Sequence, residues 1–126
     1  MAPVPRPLRI LIVDDDERLN RALELRLNKA GFMTKSAFNG AEALALLESE
    51  NFDLVMLDLV MPGVPGFTVL SEMKRKGDKT PTIVLSMLRQ EEDVARVKEL
   101  GAKEYFVKSP SYFDEVVKYA EQMSLS

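Results

Sequence analysis

Residues 53–66, DLVMLDLVMPGVPG, carry two signals in one line. Leu54, Val55, Met56 and Leu57 form an unbroken apolar run, and Asp58 follows it directly. A half-exposed strand would alternate polar and apolar residues. A short continuous run bounded by turn residues reads instead as a strand buried on both faces, the habit of parallel sheets. Pro62, Gly63, Pro65 and Gly66 then break the chain. Asp58 thus stands where a buried strand over residues 53–58 ends.

Similar runs lie on either side. LRILIV (8–13), TIVLS (82–86) and EYFVK (104–108) read as strands, and FMTKSA (32–37) as a weaker one. Helical patterns separate them. From Glu17 to Ala30 the residues Leu19, Ala22, Leu23, Leu27 and Ala30 form a stripe that Gly31 ends. Asn39 is placed to cap a helix running to about Ser49, with Ala43, Leu44 and Leu47 inward. Further helices are expected from about Phe67 to Lys76 and from Glu91 to Leu100, stopped by Gly77 and Gly101. Ser111 is placed to cap the last, with Phe113, Val116, Val117, Ala120 and Met123 inward. The order is (βα)5, which implies an α/β three-layer sandwich: one parallel sheet covered by helices on both faces.

Composition narrows the chemistry. The 126 residues suit one domain, and 46% apolar with 29% charged residues is an ordinary globular balance. The net charge is −3 and no basic run stands out, which argues against direct nucleic-acid contact. With neither cysteine nor histidine, the chain holds no disulfide, thiolate site, histidine triad or phosphohistidine of its own. MAPVPRP, with three prolines in seven residues, reads as a flexible N-terminal arm (1–7) before a domain over 8–126. It lacks the apolar stretch of a signal peptide, and no segment approaches the roughly 20 apolar residues that span a bilayer. A cytoplasmic protein without membrane contact is expected. The chain stops soon after the last helix, which leaves no room here for an effector domain; a stand-alone domain or a part of a longer regulator both fit.

In open parallel sheets ligands bind beyond the carboxyl ends of the strands. Strand 1 ends in Asp14, Asp15 and Asp16, strand 3 in Asp58, strand 4 in Ser86 and strand 5 in Lys108. Carboxylates brought together repel and raise one another's pKa. A hard cation such as Mg2+, which takes oxygen ligands and usually one or two carboxylates, resolves this. A hydroxyl and a lysine beside it make a socket for phosphoryl oxygens. Asp58 is then a candidate nucleophile able to form an acyl phosphate. Asp16 reads better as the cap of the first helix than as a ligand.

ILIVDDDERL, DLVMLDLVMPGVPGF, PTIVLS and GAKEYFVKSP, in this order and spacing, resemble the receiver domain of two-component response regulators over residues 8 to about 123. The resemblance implies a flavodoxin-like fold with strand order 2-1-3-4-5. It implies Asp58 as phosphoacceptor, Asp15 binding Mg2+ directly, Asp14 mainly through water, and the Val60 carbonyl as a further ligand. Ser86 would hydrogen-bond the phosphoryl group and Lys108 would pair with it. Ser86 and Tyr105 would form the switch that alters the surface of helix 4, strand 5 and helix 5, a surface that could also join two copies. The donor would be a histidine kinase or histidine phosphotransfer protein, and the output a downstream protein or fused effector domain. Such a chain catalyses only its own phosphorylation and dephosphorylation and is not otherwise an enzyme.

The chain departs from the family pattern in places. Met87 replaces the small residue common after the hydroxyl position, so bulk is expected to narrow access to Asp58. Val60 and Leu88 are both apolar, so neither side chain can orient an attacking water, and a slow loss of the phosphoryl group is expected. Lys108-Ser109-Pro110 stands where Lys-Pro with a cis bond is usual; a cis bond between Lys108 and Ser109 would cost about 2.5–4 kcal/mol. Pro65 should stiffen the loop after Asp58. The main alternative is a pseudo-receiver, the same fold used as a phosphorylation-independent interaction module. An aspartyl phosphatase of the haloacid-dehalogenase type is disfavoured because it needs a second Asp at the position of Val60. A flavin-phosphate module is disfavoured because Asp14, Asp15 and Asp16 would repel the phosphate.

Overall fold

The computed structural model describes residues 7–87 and 89–125; all of the N-terminal arm except Pro7, together with Leu88 and Ser126, lies outside the described residues. The elements run β1 (Arg9–Val13), α1 (Glu17–Lys29), β2 (Met33–Ala37), α2 (Gly40–Ser49), β3 (Leu54–Asp58), α3 (Gly66–Arg75), β4 (Thr82–Ser86), α4 (Glu91–Glu99), β5 (Glu104–Val107) and α5 (Tyr112–Ser124). All four strand pairings are parallel and the sheet order is β2-β1-β3-β4-β5. This is the flavodoxin-like (βα)5 arrangement. Each expected element appears, with ends shifted by about a residue.

Period-two alternation splits the core into two layers. Leu11, Val13, Val55, Leu57, Val84 and Tyr105 pack with Ala43, Val69, Leu70, Met73, Val94 and Val97 from α2, α3 and α4. Ile10, Ile12, Leu54, Met56, Ile83 and Leu85 pack with Leu23, Leu27, Tyr112, Val116, Val117 and Ala120 from α1 and α5. The central strands β3 and β4 are buried at every residue, which is why their sequences do not alternate. The edge strand β2 keeps exposed positions and reads weakly for that reason.

The caps at the start of α1 and α2 hold: Asp16 accepts from the Leu19 N–H and Asn39 from the Glu42 N–H. Ser111 occupies the corresponding position in α5, but its hydroxyl makes no cap bond and lies 3.3 Å from Glu115 Oε1 instead. Two inner faces need correction. In α1 the buried residues are Asn20, Leu23 and Leu27, while Ala22 and Ala30 are exposed. In α5 Tyr112 is buried and Phe113 only half-buried. All peptide bonds among the described residues are trans, including Lys108-Ser109. None of the described helices is long and apolar enough to cross a membrane.

Candidate functional site

The strand ends converge as expected. Residues 14–16 run from the end of β1 to α1; Asp58 is the last residue of β3, Ser86 the last of β4, and Lys108 follows β5. Register places them: Leu57 sits beside Val13 and Val84, Asp58 beside Leu85, and Ser86 beside Val107. Asp14, Asp58 and Ser86 are 2%, 5% and 6% exposed, so three polar groups are buried at one edge of the sheet.

Lys108 holds two of the acids. Its Nζ lies 2.7 Å from Asp14 Oδ2 and 3.5 Å from Asp58 Oδ2. Asp14 Oδ1 also accepts the Asp16 N–H at 2.9 Å. One oxygen from each of Asp14, Asp15 and Asp58 can be chosen so that all lie within 4.8 Å of one another. Three carboxylates thus face one ammonium group. Burial pushes Asp58 up to about 7; Lys108 opposes that rise, Asp14 adds to it, the Val60 N–H opposes it and Asp15 adds a little. A hard divalent cation fits this donor set, since it would balance the remaining charge with oxygen ligands alone.

The acids open onto a cleft of about 400 Å³ lined by Asp14, Asp15, Asp58, Val60, Ser86 and Lys108, with Met87 beside them. Met87 is 68% exposed and stands at the rim, so its bulk points largely to solvent and the cleft stays open beside it. Val60 is 78% exposed, and its N–H reaches Asp58 Oδ1 at 3.4 Å. Pro65 forms the N-terminal boundary of α3 without a side-chain cap. Gly66 is required there: a Cβ would collide with the Asp58 carbonyl oxygen and come within 2.8 Å of Leu59 Cα. Its N–H also donates to the Leu59 carbonyl at 2.9 Å, which pulls the loop tightly around the end of β3.

A family model described as the response regulator receiver domain matches residues 10–120. The chain belongs to the receiver domain family. Among its relatives is a probable transcriptional regulator, ycf27, of Porphyridium aerugineum. It is 40% identical over 100 residues, covering 79% of this chain and 41% of the relative. This chain spans about two-fifths of the length of the curated relatives it matches. Among solved structures, the receiver domain of the Francisella response regulator 1452 aligns with TM-score 0.87 and 28% identity, covering 94% of this chain and 97% of that one. The Thermotoga maritima response regulator TrrA, solved in complex with Mg2+-BeF, aligns with TM-score 0.80 and 34% identity, covering 92% and 98%. The receiver fold and its phosphoacceptor signalling class are therefore those of this chain.

Tyr105, expected to act with Ser86, is 7% exposed, and Arg89 Cζ lies 6.0 Å from its ring centroid. Tyr105 sits opposite Val84 in register, and Ser86 is two residues further along the same strand, so both belong to the α4 side of the sheet.

Two residues around the site escaped sequence reading. Asn20 is fully buried in α1, and its Nδ2 donates to the carbonyls of Asp14 and Ala37 at 3.0 Å each. The available signal was its spacing: it stands three residues before Leu23 and seven before Leu27, a polar residue in the apolar stripe. Tyr112 is buried beside the acids; burial raises its hydroxyl well above the usual tyrosine range, and Asp14, Asp16 and Asp58 push the same way. Nothing in its sequence context separates it from Phe113.

Proposed function

We propose that this receiver takes a phosphoryl group from a partner phosphohistidine onto Asp58 and uses it as a switch. The observation that carries the reading is the buried Asp58 carboxylate with Lys108 Nζ 3.5 Å away and the carboxylates of Asp14 and Asp15 within 4.8 Å. In the transfer an Asp58 oxygen attacks phosphorus in line. The P–O bond forms as the P–N bond breaks, and the imidazole leaves with the electron pair. Lys108 and Ser86 receive the phosphoryl oxygens, a role supported by the Lys108 ammonium lying 3.5 Å from Asp58 Oδ2. Asp14, Asp15, Asp58 and the Val60 carbonyl would hold Mg2+, which when bound offsets the charge gathered at the phosphoryl group. The chain catalyses this step and the later hydrolysis on itself and acts on no other substrate.

The donor histidine lies outside these 126 residues, which hold none, on a histidine kinase or histidine phosphotransfer protein. A fused effector domain suits the relatives named as transcriptional regulators, which are more than twice as long as the stretch they share with this chain. Ser86 and Tyr105 carry the change to the α4-β5-α5 face, where a second copy or effector would read it.

Intact-mass measurement after incubation with a small phosphodonor and Mg2+ tests the reading. The wild type should gain one phosphoryl group and Asp58→Asn none. An unmodified wild type would overturn it and leave the phosphorylation-independent interaction module.

A further inference from the structure

We infer that Asn20 is a positioning residue for the Mg2+ loop, resting on the reading of the acidic cluster as a Mg2+ site. Asp14 is held at every polar atom. Its N–H donates to the Ala37 carbonyl at 3.2 Å, and its carboxylate accepts from the Asp16 N–H and from Lys108. The remaining atom, its carbonyl oxygen, accepts from Asn20 Nδ2 at 3.0 Å.

That amide is itself fixed. Nδ2 also donates to the Ala37 carbonyl at 3.0 Å, and Oδ1 faces the Ser36 hydroxyl at 2.6 Å. The same hydroxyl lies 2.8 Å from Glu24 Oε2, one turn further along α1. The amide is oriented by its partners: two carbonyls require the NH2 group, which turns Oδ1 toward the Ser36 hydroxyl, whose single proton Asn20 Oδ1 and Glu24 Oε2 share. Leucine at this position would extend the stripe of Leu23 and Leu27 and bury more apolar surface. The buried amide instead ties the Asp14–Asp15 peptide group to the end of β2. The partners of the Asn20 side chain are two carbonyls and a hydroxyl, so it acts through the loop it holds.

Outer groups that orient metal ligands commonly govern 10- to 100-fold of metal affinity. The test measures Mg2+ binding by titration calorimetry with no phosphodonor present, on the wild type, Asn20→Leu, Ser36→Ala and the control Leu27→Ala. Asn20→Leu should weaken Mg2+ by about tenfold. Ser36→Ala, which leaves the amide in place but frees its oxygen, should weaken it less. Leu27→Ala, a cavity in the same helix, should lower Tm with unchanged Mg2+ affinity. Phosphorylation of Asn20→Leu by a small phosphodonor should recover at saturating Mg2+. Unchanged Mg2+ affinity in Asn20→Leu would overturn the inference and leave the metal reading intact. Should Asn20→Leu fail to fold, Asn20→Ala, which also removes both Nδ2 bonds, decides: wild-type affinity in it overturns the inference. A wild type that binds no Mg2+ would overturn both.

Discussion

Asp58 is a carboxylate that the fold holds at a cost. Burial raises it to about 7, against an ordinary value of 3.8. A raised folded-state pKa means that the native state binds its proton more tightly than the unfolded chain. Its contribution to stability is therefore fully present below about pH 4 and is lost as pH rises through about 7. Asp58→Asn removes that loss. Without metal the variant should be more stable than wild type at pH 8 by about 1–2 kcal/mol, a figure discounted for the solvent that the open cleft admits, with little difference at pH 4. Urea melts at the two pH values check this; equal stability at pH 8 would remove Asp58 as the strained group. Val60 governs a different property. Its side chain is apolar and 78% exposed beside Asp58, so nothing at that position can align a water. The phosphorylated protein should lose its phosphoryl group slowly, and Val60→Asn should shorten the lifetime by about tenfold or more. Decay followed by intact mass checks it, and a wild-type lifetime of seconds would contradict it.

Four of the five strands each deliver one part of the site, and local rules explain how much of this was legible in the sequence. The strand ends could be read because β1, β3 and β4 are buried on both faces, so their apolar runs stop where the sheet meets solvent. Asp16 and Asn39 could be read as caps because a side chain three residues from an orphan N–H is a local matter. The rotational phase of α1 and α5 was less legible. Asn20 is inward because β2 and the Asp14 carbonyl give it partners, and no local rule encodes that. Tyr112 takes the place expected of Phe113 because the 108–111 turn sets where α5 begins, with the Tyr112 N–H bonded to the Ser109 carbonyl at 3.1 Å. Two substitutions separate element geometry from chemistry. Asp16→Ala should cost about 1 kcal/mol through the lost cap and leave Mg2+ affinity nearly unchanged; a large loss of affinity would make Asp16 a ligand. Gly66→Ala should cost about 1–3 kcal/mol, because the new Cβ meets backbone that cannot swing aside, and it should also slow phosphorylation by displacing the 58–60 loop. Thermal melts and phosphorylation rates measure the pair.

At the scale of the whole molecule, three strands from distant parts of the chain bring charges to one edge of the sheet and a fourth brings the Ser86 hydroxyl. Lys108 is 94 residues from Asp14 and still reaches it at 2.7 Å. The apolar strands are legible separately, but the balance of three acids against one lysine exists only once the sheet is assembled. That balance couples metal, proton and fold. Below the raised value of Asp58, a proton occupies the carboxyl that Mg2+ would need, so metal and proton compete for the same oxygen. A ligand that binds only the folded state stabilises it by RT ln(1 + [L]/Kd), so weaker binding at low pH means a smaller gain. Mg2+ at a fixed concentration should thus raise Tm substantially at pH 8 and very little at pH 5. The increment should shrink in Asp58→Asn, because that variant has already given up the charge which the cation would balance. Melting curves with and without Mg2+ at both pH values, on wild type and variant, measure all the terms together. Equal increments at pH 5 and pH 8 would mean that the cation binds away from Asp58 and that the cleft is not the metal site.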